Sequence, residues 1–140
     1  MFVKKATSSR PAESRRPGSR RILIADDTVS SRELLRSILE ASGYEVFEAE
    51  DGEQAIGNAY LHNPDLIILD LHMPRMDGKT TAFQLRQSIR FAKTPIVALT
   101  AAVSESSPHE IAEAGFSDYL VKPIGPARLR QVIAGFFKPA

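Results

Sequence analysis

The sequence predicts an α/β domain built on a doubly wound, five-stranded parallel sheet. Two observations carry this. Five strand-like segments, several of them continuous apolar runs, alternate with five amphipathic helical segments. Apolar strands joined by helical crossovers mean a parallel sheet covered on both faces, with two or three helices on each side.

Each element has its own signature. Ile22-Leu23-Ile24-Ala25 is a short apolar run ending at Asp26-Asp27. Ser30-Ser31-Arg32-Glu33 reads as a capping box, followed by Leu34, Leu35, Ile38 and Leu39 at helical spacing. Gly43 closes that helix, and Tyr44 to Glu48 reads as the second strand. Asp51 can cap a second helix whose inward positions are Ala55, Ile56, Ala59 and Tyr60. Asp65 to Asp70 contains the buried strand Leu66-Ile67-Ile68-Leu69. Asp77-Gly78 opens a third helix with Ala82, Phe83, Leu85 and Ile89 inward. Pro95 to Thr100 is the fourth strand. A fourth helix is expected between Ser104 and Ala114, closed by Gly115, with serines and Pro108 making its first turn irregular. Asp118 to Val121 is the fifth strand. Pro126 suits a first helical position, and Leu129, Val132, Ile133, Phe136 and Phe137 form the last apolar stripe. Gly57 falls inside the second helix, where it costs about 1 kcal/mol against alanine.

Composition narrows the function classes. The 140 residues fit one domain and contain no cysteine, which excludes disulfides, thiolate metal sites and cysteine nucleophiles. No apolar run approaches the roughly 20 residues of a membrane span, and no secretory signal pattern is present. The expected compartment is the cytoplasm. The formal charge of +1 hides an asymmetry. Residues 1–21 hold seven bases and one acid, a net +6; the rest hold 11 bases and 16 acids, a net −5. Residues 1–20 therefore read as a basic, disordered arm and residues 21–138 as the folded domain. Such an arm can touch nucleic acid or another anionic surface. No aromatic interleaves its bases, so a solvated leader or linker is the simpler reading.

The chemistry gathers at the carboxyl ends of the strands, where open parallel sheets bind ligands. The first strand ends in Asp26-Asp27, the third in Asp70, the fourth in Thr100, and the fifth leads into Lys122. Any one of these alone reads as a cap, a turn acid or a surface base; four strand ends agreeing point to a site. Three close carboxylates repel one another, and a hard divalent cation such as Mg²⁺ relieves the repulsion. Ca²⁺ typically takes more protein oxygens, and His62, His72 and His109 lie on separate elements, which disfavours zinc. A carboxylate beside a cation and a lysine suits phosphoryl transfer, with aspartate as nucleophile.

At these residues the chain resembles the receiver domain of bacterial two-component response regulators. The resemblance covers about residues 20–138. It rests on Ile22 to Asp27, the run from Asp65 to Gly78 with its Met-Pro-Arg-Met-Asp-Gly tail, Pro95 to Ala101, and Asp118 to Ile124. It implies a flavodoxin-like sheet of order 2-1-3-4-5. Asp70 would be the phosphoacceptor. Asp27 would ligate Mg²⁺ directly and Asp26 through a bound water, with the backbone carbonyl of His72 as a further ligand. Lys122 would pair with Asp70 and then with the phosphoryl group. Thr100 would bond a phosphoryl oxygen, and Tyr119 would swing inward into the space that Thr100 vacates. Lys122-Pro123 would be cis. His72 and Ala102 occupy the variable positions two residues past Asp70 and Thr100, which in this family influence phosphoryl lifetime.

The resemblance further implies a phosphoacceptor rather than an enzyme, one that catalyses only its own phosphorylation and slow dephosphorylation. Its donor would be a histidine kinase or phosphotransfer protein. The face formed by the fourth helix, fifth strand and fifth helix would carry the change to a downstream protein target, and the family allows homodimers through that face. No DNA-binding domain fits after Phe137, so a stand-alone regulator or a piece of a hybrid kinase is expected. Other readings fare worse. A haloacid-dehalogenase-type phosphatase needs Asp-x-Asp where this chain has Asp70-Leu71-His72. A flavodoxin needs a phosphate loop where this chain has Asp26-Asp27, and no Walker or dinucleotide motif occurs. A receiver-like binding module that no longer uses phosphate is the main alternative; the intact acid set argues against it.

Overall fold

Along the first strand, β1 (Arg21–Ala25), Ile22 and Ile24 face one side of the sheet while Leu23 and Ala25 face the other, and all four are fully buried in this computed structural model. That two-residue alternation, apolar on both faces, is what a parallel sheet sandwiched between helices requires. The structure describes residues 19–101 and 107–138. The basic arm up to residue 18, Ala102 and Ser104 lie outside them.

The elements follow in strict alternation: α1 (Val29–Ala41), β2 (Glu45–Ala49), α2 (Gly52–His62), β3 (Leu66–Asp70), α3 (Gly78–Arg86), β4 (Ile96–Thr100), α4 (Pro108–Glu113), β5 (Asp118–Val121) and α5 (Pro126–Phe136). All strand pairs are parallel and the order is β2-β1-β3-β4-β5. Two cores result. Leu35, Ile38 and Leu39 of α1 and Leu129, Val132 and Ile133 of α5 pack on one face. Ala55 and Ala59 of α2, Ala82 and Leu85 of α3 and Ile111 of α4 pack on the other. No helix among the described residues is long and apolar enough to cross a membrane.

Several local expectations are corrected. The first helix begins at Val29 with Thr28 at its N-cap, and no side chain caps it. Ser30 is already helical, and the Ser31 hydroxyl donates to Asp26 Oδ2 at 2.6 Å instead of serving the helix end. Leu34 is exposed, because the inward stripe runs through Arg32, Leu35, Ile38 and Leu39. In α3 the stripe is Thr81, Ala82 and Leu85, which turns Phe83 outward. That helix ends at Arg86, so Ile89 falls in a separate 3₁₀ turn, Ile89–Phe91, and is 94% exposed. Phe91 fills the core there. Tyr60 is half outside, edge-on to Phe91 with ring centroids 5.1 Å apart. The fourth helix is capped by Ser107, three residues beyond the expected start. Ser107 Oγ accepts from the Glu110 N–H while the Glu110 carboxylate accepts from the Ser107 N–H.

The loop after β3 is fixed by close approach and by charge. Gly52 admits this loop against the start of α2: a Cβ there would lie 2.7 Å from the Met76 carbonyl oxygen. Asp51 caps α2 by accepting from the Gln54 N–H at 2.8 Å, and the same carboxylate takes an ion pair from Arg75. Arg75 stands at φ 67°, a left-handed conformation that non-glycine residues seldom adopt.

Candidate functional site

The carboxyl ends of β1 and β3 are neighbours because these strands pair in register, Ala25 opposite Leu69. The next residues bring Asp26, Asp27 and Asp70 together. One carboxylate oxygen from each lies within 4.8 Å of the other two, and no other such group of metal-capable side chains occurs among the described residues. Asp26 is fully buried, Asp70 is nearly so, and Asp27 is exposed. The Lys122 ammonium closes the group from the end of β5: Nζ is 2.8 Å from Asp70 Oδ2 and 3.0 Å from Asp26 Oδ2. The backbone delivers it there, since the Lys122 N–H donates to the Thr100 carbonyl at 2.8 Å. The Lys122–Pro123 peptide bond is cis.

Asp70 is held at both oxygens. Oδ2 accepts from Lys122, and Oδ1 accepts from the His72 N–H at 3.0 Å. The His72 side chain is exposed. Asp26 is held still more fully. Oδ1 accepts from the Thr28 N–H at 2.9 Å, and Oδ2 accepts from Ser31.

The surroundings split the acids electrostatically. Burial pushes the Asp70 carboxyl above its usual range, with the Asp26 charge adding to that push; Lys122 and the His72 N–H pull against it. Burial pushes Asp26 up as well, but the Ser31, Thr28 and Lys122 hydrogen bonds outweigh it, and its carboxyl lies below the usual range. Burial works against the Lys122 charge, yet Asp70 and Asp26 hold its pKa above normal. Even with this lysine, three acids face one base. The donor set is all oxygen, with no histidine ring or thiolate in it, so it fits a hard cation such as Mg²⁺.

The remaining expected residues lie around this centre. Thr100, at the end of β4, is fully buried. Register pairs Thr100 with Val121 and Ala98 with Tyr119, so Thr100 and Tyr119 are diagonal neighbours on one face of the sheet. Tyr119 is half-buried, packed against the core under α2, α3 and α4. Ser31, Thr28 and Arg32 were not among the residues expected here. Arg32 had left a trace in the sequence: it is a charged residue on the inward stripe, three positions before Leu35 and seven before Leu39.

Comparison with known proteins agrees with this geometry. The response regulator receiver domain family matches residues 22–134. The transcriptional regulatory protein ResD of Bacillus subtilis is 43% identical over 106 residues, which are 76% of this chain and 43% of ResD. The alkaline phosphatase synthesis regulator PhoP of the same organism is 40% identical over 120 residues, 82% of this chain and 49% of PhoP. The chain thus spans about half the length of such relatives, and the expectation that no DNA-binding domain accompanies it rests on these 140 residues alone. Among solved structures, the chemotaxis regulator CheY4 of Vibrio cholerae superposes with a TM-score of 0.80 at 32% identity, covering 84% of this chain and 98% of that one. The receiver domain of the sensor histidine kinase PA1611 of Pseudomonas aeruginosa superposes with a TM-score of 0.79 at 28% identity, covering 85% and 98%; its structure holds a magnesium ion in the active-site cleft. With its strand order, its acid triad and this match, the chain belongs to the receiver-domain family of two-component response regulators.

Proposed function

We propose that this receiver takes a phosphoryl group onto Asp70 from a histidine kinase or a histidine phosphotransfer protein. The observation that carries the reading is the Lys122 ammonium shared between Asp70 and Asp26, with Asp27 completing the acid group. An Asp70 carboxylate oxygen attacks phosphorus, the donor's bond to phosphorus breaks, and the leaving group departs with that electron pair. Mg²⁺ held by Asp26, Asp27, Asp70 and the His72 carbonyl would offset charge on the transferring phosphoryl oxygens. Lys122 stands beside the nucleophile and exchanges its bond to Asp70 for one to the new phosphoryl group. Thr100 binds another phosphoryl oxygen, and Tyr119 follows it inward as its diagonal neighbour.

The domain acts as a switch and not as an enzyme with turnover. It catalyses its own phosphorylation and slowly hydrolyses the acyl phosphate, and the output is a population shift at the α4-β5-α5 face. A downstream protein, or a second copy of the chain, reads that face. Intact mass after incubation with acetyl phosphate tests the reading. Gain of one phosphoryl group that needs Mg²⁺ and is absent from Asp70→Asn supports it. An unchanged mass with acetyl phosphate and with phosphorylated kinases would instead favour a phosphate-independent binding module.

A further inference from the structure

Arg32 is a buried cation that the phosphoryl chemistry does not use. Its side chain is 10% exposed. One arm of its guanidinium donates to the Asp26 carbonyl oxygen at 2.6 Å, and Nε donates to Glu48 Oε1 at 2.9 Å. Glu48, near the end of β2, is itself braced. Its second carboxylate oxygen accepts from Arg36, and its carbonyl accepts from the Asn58 amide at 2.9 Å.

The contact matters because of which carbonyl it is. The Asp26 carbonyl belongs to the planar peptide unit that joins Asp26 to Asp27, so fixing its oxygen fixes the plane from which Asp27 projects. The Asp26 N–H is already bonded to the Ala49 carbonyl at 3.1 Å, and its carboxylate is held by Thr28, Ser31 and Lys122. Arg32 completes that set. Among the described residues, the exposed Asp27 carboxylate has no side-chain hydrogen bond or ion pair of its own, so its aim depends on the backbone behind it.

We propose that Arg32, braced by Glu48, is a positioning residue for the cation site: it locks the Asp26–Asp27 peptide so that both carboxylates converge on Asp70. The proposal rests on the Mg²⁺ reading of the acid triad. Groups that orient metal ligands from behind commonly change affinity by about 10–100-fold when removed. Arg36 serves as the control, because it braces the same Glu48 without touching the Asp26 carbonyl.

The test is calorimetric Mg²⁺ titration of the wild type, Arg32→Met, Arg32→Lys and Arg36→Met, with urea unfolding of each protein without metal. Arg32→Met is expected to weaken Mg²⁺ binding about tenfold or more. Arg32→Lys should weaken it by less, since its ammonium can keep one of the two acceptors, although it cannot span both as the guanidinium fork does. Arg36→Met should lower stability and leave Mg²⁺ affinity unchanged. Wild-type affinity in a folded Arg32 variant, or an equal loss in Arg36→Met, overturns the proposal. If Arg32→Met does not fold, the lysine variant decides alone. Absence of Mg²⁺ binding by the wild type would overturn the cation reading itself, and this proposal with it.

Discussion

Gly78 and Asp70 meet across the loop that separates them: a methyl group at Gly78 would drive into the Asp70 carbonyl oxygen and come within 2.9 Å of Leu71 Cα. The start of α3 therefore seats directly on the backbone that carries the proposed phosphoacceptor. Gly78→Ala must displace one or the other. The expected result is a loss of about 1–3 kcal/mol in urea unfolding, with slower phosphorylation because Asp70 moves. Gly57→Ala should do the opposite. A Cβ at Gly57, inside α2, meets nothing within 4 Å, so the substitution should add up to about 1 kcal/mol and leave phosphorylation unchanged.

Lys122 plays two parts that pull in opposite directions. Its charge would favour a transferring phosphoryl group, yet it also sits on the Asp26 and Asp70 oxygens that would face the proposed cation. Lys122→Met removes a nearby like charge from the metal's surroundings, so Mg²⁺ should bind about tenfold more tightly. Labelling by acetyl phosphate should slow about a hundredfold, the scale of losing one stabilising donor. Calorimetry and intact mass on the same samples read both effects.

The Asp51–Arg75 contact sets a pH dependence. The hydrogen bond from the Gln54 N–H and the Arg75 guanidinium hold the Asp51 carboxyl below its usual range. A depressed folded-state pKa means stabilisation that is fully present above the unfolded value, about 4, and lost as pH falls through the lower folded value. Asn caps a helix about as well as Asp but carries no charge. Asp51→Asn should therefore be less stable than the wild type at pH 7, and the gap should close below about pH 4. Urea midpoints measured from pH 7 to pH 3 check this; a gap that stays constant with pH would contradict it.

Periodicity made the strands and helices legible, because apolar alternation and helical spacing are local properties of the chain. Strand ends were equally plain: Asp26, Asp27, Asp70 and Lys122 do meet. Polar bonds between one element and the next left weaker traces. Ser31 looked like part of a capping box because its spacing to neighbours fits one, but the nearby Asp26 carboxylate is the acceptor it serves. Ile89 looked inward until Arg86 is considered. Its guanidinium donates to the carbonyls of Gly115, Phe91 and Thr94 at 2.9, 2.6 and 2.7 Å, tying the end of α3 to two loops and leaving Phe91 to fill the core. Bonds that leave a helix for a neighbouring strand end or loop follow from the fold and not from helical periodicity. The same holds for Arg32, whose acceptors are on β2 and at the end of β1.

The most direct measurement asks which residue accepts the phosphoryl group. An acyl phosphate on an aspartate is reduced by borohydride to homoserine, which marks the position in peptide mass spectra. After acetyl phosphate and Mg²⁺, homoserine is expected at position 70 and at no other aspartate, with none formed when the metal is chelated. Homoserine at position 26 or 27, or labelling that persists in Asp70→Asn at the wild-type rate, would contradict it.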